Sequence, residues 1–350
     1  MAQNFNYEQK WKEVQALSVE GYSKSLLPKI EEIYSHAKRE NNTSEIIKAL
    51  VYQERIVSEV QEDPENDPYK QMIQKLEAEI PSFKGVTMPV MQSLLAKVYK
   101  GYYDNVRWKR QNITDTEVQS TDVSTWTPQQ LLDKSISLYK ESVRNKEIIR
   151  KEQTRNWISI LTQKEDLNLN PTLYDVLVNR YINALREYKG DSESTAENKQ
   201  TIENLTQELL SFHKNDTDKS AYLSIKLQEI TNSENTQEAK TEEIIQLAQT
   251  YSNEPFAAYL YYVAAQNVQN EDKVKAFSIC NKVSFSKDNP WSVNCNSFKE
   301  SLQRQELSAT IDNIVLPGEN IPVTLRATNL DKVYYRIYEV NPVTASAITE

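Results

Sequence analysis

Near Leu307 the chain changes its periodicity, and that change constrains the fold more than any motif it carries. Up to about Gln305, apolar residues recur at intervals of three and four, the mark of helices that bury one stripe. From Leu307 onward the string LSATIDNIVLPGENIPVTLRATNLDKVYYRIYEVNP alternates with period two. Leu307, Ala309 and Ile311 share one face, as do Val323, Leu325 and Ala327, and Val333, Tyr335 and Ile337 form a third set. Alternation of this kind predicts half-buried strands. Pro317-Gly318 and the tetrad Asn329 to Lys332 supply the turns between them. A β-sandwich needs about seven strands and roughly 100 residues. Three or four strands alone leave open edges and a bare apolar face. The expectation is that this segment opens a longer β-domain and that the chain is the front of a larger polypeptide.

Composition agrees with a helical body. Glycine supplies 5 of 350 residues, against a usual share of about 7%. Four of them (Gly21, Gly85, Gly101, Gly190) fall before Gln305, which disfavours phosphate-cradling and β-rich folds there. A hydrophobic content of 39% suits a thin, elongated helical layer better than one thick globule. The formal charge of −9 argues against a nucleic-acid partner, which needs clustered Lys and Arg. No apolar run is long enough for a transmembrane helix. The opening MAQNFNYEQKW has neither a basic nor an apolar leader region. It reads as a cytosolic start or as a mature secreted chain given a new Met.

Helix starts are punctuated by capping side chains before proline at Asp67-Pro68, Thr127-Pro128 and Asn170-Pro171. Asn42-Thr43-Ser44 and Asp216-Thr217-Asp218 are further cap clusters. Ile46, Ile47, Leu50, Val51 and Val57 form one buried stripe. Tyr174, Leu177, Val178, Tyr181, Ile182 and Leu185 form another. Such segments amount to about twelve helices, with longer loops expected over 111–124 and 190–198. The clearest unit runs from Pro255 to Asn289 before Pro290, with small residues (Ala257, Ala258, Ala264, Ala265, Ala276) where helices must approach. Small residues on both helices and a proline after the second resemble the tetratricopeptide pattern. The predicted class is therefore mainly α: a tetratricopeptide-like stack of antiparallel helix pairs over residues 1–305, then the first strands of an antiparallel β-sandwich over 306–350.

The chain encodes no recognisable catalytic constellation, and no enzyme activity, cofactor or metal is expected. His36 and His213 are its two histidines; His36, near a helix end, fits a satisfied rather than a ligating histidine. Glu31-Glu32 and Glu242-Glu243 are adjacent carboxylates, which point about 100° apart on a helix and read as charges on a solvated face. Tyrosine is abundant, with 20 residues. Tyr259-Leu260-Tyr261-Tyr262, the Tyr99/Tyr102/Tyr103 group and Trp108 could line a peptide groove. The plainer reading is that they fill space between helices and send hydroxyls to the rim. Trp11, Trp126 and Trp157 invite the same plain reading. Cys280 and Cys295 lie on successive helices of the repeat-like unit. A disulfide between them would stabilise by roughly 3 kcal/mol; two buried free thiols are the alternative.

Several strings resemble one family. LLPKIEEIYSHAKRENNTSEIIKALVYQERIV, LLAKVYKGYYDNVRWKRQNIT and TWTPQQLLDKSISLYKESV resemble the helical N-terminal region of very large bacterial alpha-2-macroglobulin-like proteins. LSATIDNIVLPGENIPVTLRATNLDKVYYRIYEV looks like the start of that family's first macroglobulin β-domain, with NLDKVYYRIYEV its most specific part. Cys280 and Cys295 resemble a cysteine pair that precedes this junction, which implies a disulfide. The resemblance implies a secreted, periplasmic or envelope-associated protease trap in which a cut bait segment triggers capture, in many members through a Cys-x-Glu-Gln thioester. Cys280 is followed by Asn281-Lys282-Val283 and Cys295 by Asn296-Ser297-Phe298, so neither is that cysteine. The chain's implied share is scaffolding. Its partners would be downstream macroglobulin domains, proteases met through those domains, and an envelope protein. An independent tetratricopeptide-like adaptor that binds peptides is the competing reading, and a helical hydrolase or lyase a third.

Overall fold

Short polar caps divide a mainly helical chain. A computed structural model describes residues 5–19, 23–57, 67–110, 121–158, 160, 167–188, 192–284, 289–311, 318 and 320–336. They contain fourteen α-helices and one two-stranded sheet, more helices than the dozen that periodicity marks out. Two compact units divide between Glu229 and Ile230. The first carries α1 (Tyr7–Val19), α2 (Ser23–Glu40), α3 (Thr43–Val57), α4 (Pro68–Glu79), α5 (Thr87–Val106), α6 (Pro128–Ser142), α7 (Lys146–Ile149), α8 (Leu173–Glu187), α9 (Ser192–His213) and most of α10 (Ser220–Thr231). The second carries α11 (Gln237–Thr250), α12 (Ala257–Val268), α13 (Lys273–Cys280), α14 (Ser292–Gln303), β1 (Glu306–Ile311) and β2 (Val323–Thr328).

In the first unit, most helices adjacent in sequence pack on one another, α5 with α6 most extensively. Both predicted stripes are buried. Asn41, at φ 54°, ends α2 in the left-handed region, and the Asn42 N–H reaches back to Ala37 O while the Asn41 N–H reaches Lys38 O. Asn42 Oδ1 then accepts from the Glu45 N–H and starts α3. Two asparagines thus end one helix and begin the next. Asp67 and Thr127 cap α4 and α6 with proline at the first helical position, as the sequence predicts. The third such dipeptide behaves differently. Thr172, not Asn170, precedes α8, and Asp175 takes both its N–H and its hydroxyl. Pro171 O instead accepts from the Thr154 N–H, beside an isolated bridge between Gln153 and Thr172. The loop expected over 190–198 is helical from Ser192, its Ser, Glu and Ala residues being adequate helix formers. Residues 111–120 of the other expected loop lie outside the described residues.

α5 approaches α4 closely at Gly101. A Cβ built there would lie 2.9 Å from the Tyr69 ring, so a larger residue would have to displace that ring, which stacks on Tyr102 with centroids 5.5 Å apart.

In the second unit, the stretch from Pro255 to Asn289 contains α12 and α13, and Ala257, Ala258, Ala264, Ala265 and Ala276 are all buried. β1 and β2 pair antiparallel in the register Leu307–Ala327, Ala309–Leu325 and Ile311–Val323. Two of the predicted apolar sets therefore merge into one face of a single hairpin. The expected half-burial is absent, since every residue of both strands is exposed; a two-stranded ribbon has no second layer to lie on. Val333 and Tyr335 belong to no strand among the described residues, and Ile337 lies outside them. The preceding turn serves the end of α14 instead, through Asn329.

Candidate functional site

Asn329 is the pivot of the most distinctive surface. It sits at φ 55°, and its side-chain amide donates to Leu302 O at 2.7 Å and Arg304 O at 2.9 Å. These are carbonyls that a helix end leaves without partners, so Asn329 ties the end of β2 to the end of α14. α14 is itself fixed. Cys280 and Cys295 are disulfide-bonded with Cα atoms 5.3 Å apart, and both are fully buried. The Cys295 sulfur lies 3.8 Å from Ala258 O of α12. Bonds thus run from α13 through α14 to the hairpin, and α14 rests against α12 by contact at Cys295.

The hairpin presents apolar side chains to solvent. Leu307, Ile311, Val323 and Leu325 are 51%, 54%, 51% and 47% exposed, and Ile321 nearby is 57% exposed. On the opposite face, Ser308 lies across from Arg326 and Thr310 from Thr324. An apolar face of this kind has the character of an interaction surface.

A second surface follows α12. Phe256, Tyr259 and Tyr262 are spaced by three residues, and Trp291 meets Phe256 at 4.9 Å and Tyr259 at 5.6 Å between centroids. Phe298 of α14 meets Tyr262 at 5.8 Å. Phe256 is buried, whereas Tyr259, Tyr262 and Trp291 are half-buried. Tyr261, from the same run, is buried.

The other aromatic candidates mostly fill helix junctions. Tyr99 and Tyr102 are buried and donate their hydroxyls to Glu77 at 2.7 Å and Asp67 at 2.5 Å. Tyr34 does the same with Glu79, and Tyr174 with Glu208. Burial and the Asp67 hydrogen bond push the Tyr102 hydroxyl up to about 12. Trp11, Trp126 and Trp157 are buried, but Trp108 is 71% exposed beside Arg107, so it is no gap filler. Glu31 and Glu32 do point apart: Glu31 pairs with Lys75 of α4 and Glu32 with Lys10 of α1, each at 2.7 Å.

A groove of about 400 Å³ in the first unit is lined by Leu27, Glu31, Gln53, Met72 and Lys75 among others. Glu31 accepts from Gln53 and Lys75 there, and Lys75 lies 3.5 Å from the Tyr34 ring centroid. Burial holds the Lys75 ammonium below its usual range.

The histidines have separate surroundings. His36 stacks on Phe5 at 3.9 Å and lies 3.3 Å from the Tyr7 hydroxyl. His213 is buried between two carboxylates, with Nε2 at 2.7 Å from Asp175 and Nδ1 at 2.7 Å from Asp216. The Asp216-to-His213 spacing of three was readable in sequence. The meeting with Asp175, 38 positions away, was not.

Among the described residues no three His, Cys, Asp or Glu side chains are grouped to hold a metal, and no helix is long and apolar enough to cross a membrane. The disulfide is compatible with an oxidising compartment. No family, no curated protein and no solved structure matches the chain.

Proposed function

We propose that this chain is the non-catalytic N-terminal scaffold of a large secreted alpha-2-macroglobulin-like protease inhibitor, acting in the periplasm, the cell envelope or the extracellular space. The bare apolar face of the β1–β2 hairpin carries the reading. Leu307, Ile311, Val323 and Leu325 are paired with each other and with Ala309 and Ala327 across two strands, yet all stay about half exposed. Completing the burial of each would be worth roughly 1 kcal/mol, half the value of a fully exposed side chain. This supports a hairpin that further strands of a longer chain complete into a macroglobulin-like domain, as the resemblance of NLDKVYYRIYEV implies. The tetratricopeptide-like helix pairs then dock on downstream macroglobulin domains or on an envelope partner. The proteases are met by the downstream parts.

The test is to prepare the 350-residue chain and the full product of its gene, and to compare amide exchange in 306–311 and 323–328. Protection in the longer protein should rise about tenfold or more. A protease mixed with it should keep cleaving small peptides while losing access to protein substrates. A coding sequence that stops soon after Glu350, or an unprotected hairpin in the longer protein, excludes the proposal.

One observation favours the adaptor reading. Tyr259, Tyr262 and Trp291 form a half-buried aromatic stripe of the kind that anchors peptides. Peptide-library binding that Trp291→Ala abolishes, with no change on extending the chain, would establish the adaptor instead.

A further inference from the structure

His213 is 1% exposed and Asp175 2%, yet three potential charges meet there. A buried charge is retained only when it is paired and hydrogen-bonded. The two carboxylates are held differently. Asp175 spends one oxygen on the N–H and hydroxyl of Thr172 and offers the other to His213 Nε2. It is therefore pinned at the start of α8. Asp216 lies in the turn after α9, its side chain 40% exposed, and its N–H reaches back to His213 O at 3.2 Å.

We infer that His213 is a proton-operated latch. The doubly protonated ring ties the end of α9 to the start of α8 and to the turn that leads into α10, and loss of one proton releases that turn. With both nitrogens protonated, each N–H donates to a carboxylate and no lone pair faces an oxygen. A neutral imidazole has one donor and one acceptor, so one nitrogen must present its lone pair to a carboxylate oxygen 2.7 Å away. The His213 side chain is 2% exposed, so water has little room to step between them. The Asp175 arm holds because its carboxylate is pinned. The Asp216 arm opens because its side chain reaches solvent. Proton loss therefore leaves the Nε2–H tautomer on Asp175 and frees the turn at 214–219.

The surroundings agree. Asp175 faces the ring from α8 and Asp216 from the turn. Arg150 lies over the neighbouring Phe212 and Tyr174 rings, at 5.0 and 4.3 Å. Glu208, on α9 itself, is engaged by Lys146 and Tyr174, and Lys219 by Lys214 O. Burial draws the imidazole down, but the hydrogen bonds and charges of Asp175 and then Asp216 outweigh it and raise its pKa above 6.5. A raised folded-state value means the latch contributes fully below the ordinary histidine range and is lost as pH rises through the higher value.

Nitrogen-detected NMR on the intact chain reads the ring directly. Both His213 nitrogens should be protonated at pH 6, and the ring should titrate above the usual imidazole range. Protection factors of amides 214–219, corrected for the intrinsic rate, should fall about tenfold between pH 6 and pH 9. Asp216→Asn is the decisive variant, because an amide can accept from Nδ1–H or donate to a bare Nδ1. It should fold, and its protection should be independent of pH. A single-tautomer neutral ring at pH 6, or the same pH profile in wild type and D216N, overturns the latch.

Discussion

Asp67 divides its carboxylate between two helices. One oxygen accepts from the Lys70 N–H and caps α4, and the other accepts the Tyr102 hydroxyl of α5 at 2.5 Å. Arg110 donates to the same hydroxyl at 2.7 Å. The start of one helix and the last turns of the next are therefore held by a single side chain, which makes the cap a tertiary contact.

Asp67→Ala should cost more than a cap. Loss of the cap is worth about 1 kcal/mol, and leaving the buried Tyr102 hydroxyl short of an acceptor adds about another. Tyr102→Phe alone should cost about 1 kcal/mol. In a denaturant-unfolding cycle the double variant should lose less than the sum of the two single losses. Simple additivity would mean that the two helices are not joined here.

Gly101→Ala tests the close approach of α4 and α5. On an isolated helix the change would gain about 0.5–1 kcal/mol. Here the new methyl meets the Tyr69 ring at 2.9 Å, and overpacking costs about 1–3 kcal/mol. A lowered melting temperature is expected, with part of the loss recovered in Gly101→Ala/Tyr69→Leu. A stabilised single variant would contradict the packing.

Acid should weaken the α2–α4 contact through Glu79. Burial raises its carboxyl pKa, but Lys38 and Tyr34 bonding to the carboxylate outweigh that and leave it below 4.5. A depressed folded-state value stabilises above the ordinary glutamate range and is lost as pH falls through the folded value. The difference in melting temperature between wild type and Glu79→Gln should therefore shrink below about pH 4. A constant difference from pH 3 to 6 would show that Glu79 does not titrate as described.

Removing the Cys280–Cys295 bond should loosen the base of the hairpin. Cys280→Ala/Cys295→Ala should lose roughly 3 kcal/mol on the chain-entropy account. Protein made in an oxidising compartment should show no free thiol when denatured. Two reactive thiols in that sample would reject a native disulfide.

The hairpin face should govern association more than stability. Leu307→Ser/Leu325→Ser alters exposed positions, so the melting free energy should move by no more than about 0.5 kcal/mol per site. Self-association in sedimentation should fall, because exposed strands and apolar faces recruit one another. A strictly monomeric wild type would leave that face without a self-partner.

Local order alone determined much of this protein. The three- and four-residue stripes, the Asn42, Asp67 and Thr127 caps and the period-two alternation after Leu307 are written in neighbouring residues. Helix and strand periodicity act over a few positions and survive without the rest of the fold. Where the local signal had rivals, it misled. Asn170-Pro171 looks like a cap, but the bridge at Gln153–Thr172 claims that stretch and Thr172 starts α8. Val333 and Tyr335 alternate like a strand yet belong to none among the described residues, while Asn329 just before them turns its amide to the carbonyls of α14. Tertiary structure alone decided the rest: Tyr102 on Asp67, Gly101 beneath Tyr69, His213 between Asp175 and Asp216, and a hairpin left bare on one face. Each of these depends on side chains brought together from distant positions, and only the packing of whole helices sets those distances.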